Sequence, residues 1–64
     1  MNGLLEKYAI SISDGHNEDW HYYKTESQYQ YAFERFKETE SDVHGYILNE
    51  NREYEVIQSH WDGE

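Results

Sequence analysis

The chain has no cysteine, no proline, only five basic residues and no long apolar run. Each shortage excludes something. Without cysteine there is no disulfide and no thiolate metal site, although so short a chain without thiols also fits a reducing cytoplasm. No apolar stretch approaches the roughly 20 residues of a membrane-spanning helix. The start, Met-Asn-Gly-Leu-Leu-Glu-Lys, has neither a basic head nor an apolar stretch of secretion-signal length; Leu4 and Leu5 lead into a strand instead. Five basic residues against fourteen acidic ones give little counterion release on a polyanion, so direct nucleic-acid binding is not expected. Glycine-rich phosphate loops, nucleophile elbows and metalloprotease motifs are missing too. A 64-residue domain has little room for a cleft of the roughly 300 Å³ at which ligand pockets begin, so no enzyme and no cofactor is expected.

What the chain does contain is carboxylates and rings. The formal net charge is -9, and seven Tyr, two Trp and two Phe are threaded among the charges. Disordered segments are poor in aromatic and β-branched residues, so the composition speaks for a folded domain despite the charge. Sixty-four residues make one domain, with its ends, 1–5 and 61–64, expected to fray. A chain of this size buries only about 60% of the surface its unfolded form exposes. Small domains often gain stability by oligomerising, which leaves a homodimer open.

The pattern predicts an α+β fold in the order β-β-α-β-β. Lys7 to Ser13 alternates, with Tyr8, Ile10 and Ile12 on one face and Ala9, Ser11 and Ser13 on the other. Asp14-Gly15 breaks it, and the aromatic run Trp20 to Thr25 pairs back as a hairpin. Ser27, with Gln30 at capping-box spacing, opens a helix from about Gln28 to Thr39. Tyr29, Ala32, Phe33 and Phe36 form its apolar stripe. Val43–Leu48 and Glu53–Ser59 make a second hairpin about the Asn49-Glu50-Asn51-Arg52 turn, and residues 60–64 form a tail that frays unless Trp61 docks. One antiparallel sheet with the helix on one face follows. Its expected core is Phe33, Phe36, Tyr8, one of Tyr22 and Tyr23, Ile10, Ile12, Ile47 and Val56.

Four acidic runs stand out: Asp14/Glu18/Asp19, Glu26, Glu34/Glu38/Glu40/Asp42 and Glu50/Glu53/Glu55. Glu38, Glu40 and Asp42 fall where a helix dipole disfavours negative charge, a locally unfavourable choice that points to use. A dense negative field repels nucleic acid and membranes and attracts basic clefts. DNA carries one phosphate charge per about 1.7 Å of duplex axis, and carboxylates that copy this spacing fit a DNA-binding groove. The plain alternative is a solvated surface that keeps a small protein soluble. Rings in excess of the core add anchors, since Tyr and Trp dominate interface energetics. We therefore expect a basic protein partner, contacted through Glu34, Glu38, Glu40 and Asp42, a second patch of Asp14, Glu18 and Asp19, and the rings Trp20, Tyr22 and Tyr31. The segment His16, Glu18, Asp19, His21 has metal-ligand residue types in a spacing that matches no metal motif, and polar loop residues explain it equally. Asp14 to Asp19 lacks the alternating ligands of a calcium loop.

Residues 8–38 carry a resemblance. The strand Tyr-Ala-Ile-Ser-Ile, an acidic turn with Asp-Gly, the aromatic strand Trp-His-Tyr-Tyr-Lys and a helix opened by Thr or Ser resemble the short phage inhibitors of uracil-DNA glycosylase. In type the chain is similar to the small acidic proteins of phages and mobile elements at large, including DNA-mimic anti-restriction and anti-CRISPR proteins. The resemblance implies a homodimer whose acidic, aromatic surface fills the glycosylase's DNA groove. It assigns no individual inhibitory residue. The charge and rings themselves lead us to expect the basic groove of a host nucleic-acid-processing or defence enzyme, and the lack of a span or secretion signal leads us to expect a soluble protein of the host cytoplasm. The alternative is an assembly protein that oligomerises through exposed rings, its acidity serving solubility alone.

Overall fold

A computed structural model describes residues 5–61. Five elements follow one another: β1 (Tyr8–Ser13), β2 (Glu18–Tyr23), α1 (Glu26–Thr39), β3 (Asp42–Leu48) and β4 (Tyr54–Trp61). The strands form one antiparallel sheet in the order β2-β1-β3-β4. Two hairpins thus lie side by side, and α1 carries the chain from the end of β2 back across one face to the start of β3. This is the α+β, β-β-α-β-β architecture that the sequence pattern predicts.

The helix begins earlier than expected. Thr25, not Ser27, is the N-cap: it is extended, and its Oγ1 accepts from the Gln28 N–H at 3.2 Å. Thr25 and Gln28 repeat the spacing that Ser27 and Gln30 show, so the sequence holds two overlapping capping-box signals. Starting at Thr25 puts the Glu26 carboxylate in the first turn, where the helix dipole favours it. It also takes Thr25 out of β2, which ends at Tyr23 and starts at Glu18 rather than Trp20. At the other end the Glu40 N–H donates to the Phe36 carbonyl at 2.7 Å and closes the helix without a glycine.

One face of the sheet is closed by this helix. The register sets Ile10 between His21 and Gly45, and Ile12 between Asp19 and Val43. Ile10, Ile12 and Val43 pack with Tyr29 and Phe33 of α1, and Tyr8, Tyr23, Ala32 and Phe36 lie against them. Of the expected pair Tyr22 and Tyr23, it is Tyr23 that joins the core. Tyr8 stacks on Tyr29 with centroids 5.1 Å apart. The Tyr29 ring occupies the space over Gly45, where a Cβ would fall on its hydroxyl. That hydroxyl donates to Gln58 Oε1 at 2.8 Å and so ties the helix to β4. Among the described residues no buried side-chain N or O lacks a partner.

Two expectations about β4 fail. Val56 is not in the core but 57% exposed. Gly45 pairs with Gln58 while Tyr46 pairs with Val56, which leaves Ile57 as an extra residue on β4. Val56 faces away from the helix because β4 opens with Tyr54, not Glu53, opposite Leu48, which sets Val56 beside Tyr46; the bulge then shifts the alternation by one and returns Gln58 to the helix face. Nor does the tail start at His60: His60 and Trp61 pair with Val43 and Asp42 as the last residues of the strand. The fraying expected of residues 1–4 and 62–64 lies outside the described residues.

Candidate docking surface

The other sheet face has no helix. Along it the register aligns Tyr22, Ala9, Tyr46 and Val56 in one row, and Trp20, Ser11, His44 and Ser59 in the next. Ala9 and Ser11 are nevertheless fully buried. Their small side chains let the neighbouring rings fold over the central strand. Trp20 packs on Tyr46 with centroids 4.9 Å apart and stacks with Tyr22 at 6.4 Å, and Tyr22 meets Tyr54 at 5.9 Å. Hydroxyls pin the layer: Tyr46 Oη and Ser11 Oγ share a hydrogen bond of 3.3 Å, and Tyr54 Oη donates to the Glu6 carbonyl at 2.7 Å. Outward, Trp20, Tyr22, Val56 and Trp61 stay exposed. Scattered exposed apolar residues are ordinary; here the exposed rings of Trp20 and Tyr22 are neighbours on one face.

The carboxylates sort by the same topology. One end of the sheet gathers the β1–β2 turn, the C-terminus of α1, the start of β3 and the end of β4. Two of the four acidic runs therefore meet there: Asp14, Glu18 and Asp19 from the turn and β2, and Glu38, Glu40 and Asp42 from beyond the helix. Their side chains differ in freedom. Asp14 Oδ1 accepts from the N–H groups of Asn17 (2.8 Å) and His16 (3.0 Å), and these bonds, Asn17 first, hold its carboxyl below the ordinary 3.8. Asp14 thus shapes its own turn. Glu18 and Asp19 point to opposite faces, Glu18 with the rings and Asp19 with the helix. Glu38 is exposed, Glu40 is the helix C-cap, and Glu34 sits further back on α1, 3.2 Å from Lys37 Nζ.

Asp42 enters a relay. Its Oδ1 lies 2.8 Å from His44 Nε2, and His44 Nδ1 lies 3.0 Å from Ser59 Oγ. With the carboxylate on Nε2–H, the lone pair of Nδ1 faces the serine hydroxyl, the order of acid, base and nucleophile in acyl-transfer sites. Such chemistry also needs donors aimed at a developing oxyanion and a site that sheds water. Here Ser59 is exposed, and the Asp42 and His44 side chains keep about a third of their surface in solvent. The relay joins β3 to β4 across a cross-strand pair.

Of the rings expected to act together, Trp20 and Tyr22 do share the open face. Tyr31 does not: it stands on the flank of α1, where Arg35 Nη1 donates to its hydroxyl at 3.1 Å and the guanidinium lies 5.7 Å from its ring centroid. Tyr46, Tyr54 and Val56 belong to the surface and were not among the expected site residues. The signal for Tyr46 was present, since its register opposite Ala9 follows once β1 is known to be central. Val56 depends on the length of the β3–β4 turn, which sets Tyr54 and not Glu53 opposite Leu48. The segment His16, Glu18, Asp19, His21 is split by the strand, with His21 packed on the Phe36 ring. Among the described residues no group of three or more His, Asp or Glu is placed to hold a metal, and no helix is long and apolar enough to cross a membrane.

No family model, curated protein or solved structure matches the chain.

Proposed function

We propose that this protein is a non-catalytic inhibitor or adaptor that binds a basic partner, the nucleic-acid groove of a DNA- or RNA-processing or defence enzyme. The observation that supports the reading is the meeting of two sequence-distant acidic runs at one sheet end, beside a face laid with rings. Carboxylates steer a basic surface toward that end, and the rings supply the desolvated contact that charge alone does not. A DNA-mimic of the kind made by phages and mobile elements works in this way. In this reading Glu18, Glu38 and Glu40 supply the charge, while Trp20, Tyr22, Tyr46 and Trp61 supply the anchor.

The test is charge reversal at Glu38 and Glu40. Both residues stand at the negative end of the helix dipole, so lysines there should leave the fold intact or raise its stability by a few tenths of a kcal/mol. Partner capture from bacterial lysate should nevertheless fall, association should slow, and the dependence of binding on salt should flatten. Capture with unchanged salt dependence would remove the acidic end from the interface.

A second reading rests on β4. It is an edge strand that exposes Val56, Ile57 and Trp61, and long apolar edges are templates for another chain. On that reading the protein assembles with itself through the rings, and its charge serves solubility. Sedimentation at rising protein concentration separates the two: a monomer that captures a partner supports the inhibitor, and a salt-insensitive oligomer without partners supports assembly.

A further inference from the structure

Where β1 begins and β2 ends, far from the acidic end, the open face carries a second feature. Leu5, Glu6, Tyr22 and Tyr54 line a shallow cavity of about 330 Å³. The two rings meet at 47° with centroids 5.9 Å apart, in contact with each other, and Tyr22 keeps about half of its surface exposed. Both walls are held in place. Tyr54 is pinned by its hydroxyl on the Glu6 carbonyl. Tyr22 is backed by Trp20, which is seated on Tyr46. Glu6 also lines the cavity, and burial first, then the neighbouring Tyr22 and Glu6, raise the Tyr54 hydroxyl pKa.

We propose that this site is a docking pocket for a guanidinium group, an arginine side chain of the partner, stacked on the exposed face of Tyr22 with Tyr54 beside it and the Glu6 carboxylate as its counter-charge. Ring faces carry negative potential and attract cations. A guanidinium suits the site better than an ammonium because it is planar, weakly hydrated and able to stack on a ring while it bonds a carboxylate. Rings that are already fixed lose little freedom on binding. The net charge of -9 draws cations to the surface as a whole. Lys7 and Lys24 line the adjoining cavity, which shares Leu5 and Glu6, so the protein's own cations oppose the guest and keep the isolated pocket weak. The biological occupant rests on the basic-partner reading above, but the binding of the group itself does not.

The experiment is an NMR titration of the isolated protein with Nα-acetyl-arginine amide and with its neutral citrulline counterpart. The ring signals of Tyr22 and Tyr54 should shift saturably with the arginine compound, and the citrulline compound should bind at least tenfold more weakly. Tyr22→Leu keeps an apolar contact on an exposed edge-strand site and should abolish the saturable shift while the amide spectrum stays dispersed. Glu6→Gln should weaken binding severalfold, and Lys24→Gln should tighten it. Shifts that stay linear, or that are equal for the two compounds, overturn the pocket. Neither result alters what charge reversal at Glu38 and Glu40 does to partner capture, so failure here and failure of the basic-partner reading are told apart.

Discussion

The two faces of the sheet are built from similar materials and do different things. Beneath the helix, Ile10, Ile12 and Val43 meet Tyr29 and Phe33, and every one of them is buried. On the far side Ala9 and Ser11 are buried as completely, but by rings that themselves remain in contact with water. On the closed face aromatic area is removed from solvent at about 25 cal/mol per Å² and serves stability. The open face leaves much of the same kind of area uncollected, although a 64-residue domain has little stability to spare. The central strand is thus covered by Trp and Tyr that remain half-exposed, and in the function proposed above this is the area that a partner would cover.

Matched substitutions sharpen the contrast. Phe33→Ala should cost about 3–5 kcal/mol, the range for a buried ring, which is close to the entire stability of a domain this small. Urea titration should find that variant largely unfolded. Trp20→Ala removes a larger ring that is 39% exposed, and its cost should be well under half that of Phe33→Ala while partner capture falls. If Trp20→Ala destabilises as much as Phe33→Ala, the open face is a second core and not a surface held for binding.

A smaller effect is expected at Gly45, the one place where the closed face needs the absence of a side chain. Gly45→Ala puts a methyl on the Tyr29 hydroxyl, and overpacking of this kind costs about 1–3 kcal/mol. Tyr29→Phe removes that hydroxyl at a cost of about 1 kcal/mol for the lost bond to Gln58. In the double variant the two costs should sum to less than their separate values, because the phenylalanine yields part of the room. Thermal melts of the four proteins measure the coupling, and strict additivity would mean that the helix, not the ring, moves to admit the methyl.

These faces differ also in how far the sequence discloses them. Tyr8, Ile10 and Ile12 announce the closed face by alternation, and Tyr29, Ala32, Phe33 and Phe36 announce the helix that covers it, because both patterns come from local geometry. The open face depends on pairing. That Trp20 lies beside Ser11 follows from the register of the first hairpin, and that Tyr46 lies beside Ala9 follows only when β1 is known to be an inner strand. Val56 turns outward because β4 opens one residue later than its pattern suggests, with Tyr54 opposite Leu48, and the length of a turn leaves no mark on composition. The acidic end shows the same limit: Glu18 and Glu38 are twenty positions apart along the chain, and only the crossover of α1 brings their ends of the fold together. Thr25 was legible in principle, since it carries the same spacing as Ser27, but two overlapping caps cannot be ranked without knowing where β2 stops.

The smallest predicted effect is the dependence of stability on pH, and it runs through both faces, since burial also raises the Tyr54 hydroxyl of the open face. Burial raises the Tyr29 and Tyr23 hydroxyls of the closed face above their ordinary 10.0. A group whose pKa is raised on folding contributes its full stability below the unfolded value and loses it as pH climbs through the folded one. Stability should therefore be flat through neutrality and decline above about pH 10, and Tyr29→Phe should reduce that decline. Asp14 works in the opposite sense. Its carboxyl is held below 3.8 by the Asn17 and His16 N–H groups, so its contribution is present above that value and fades as pH falls beneath it. Asp14→Ala should flatten the acid limb and leave the alkaline limb as it was. Melting temperatures from pH 2 to 12 for the parent and the two variants decide the matter. An alkaline limb indifferent to Tyr29→Phe would mean that the ring reaches water more readily than its packing against Tyr8, Phe33 and Gly45 implies, and the contrast between the faces would weaken accordingly.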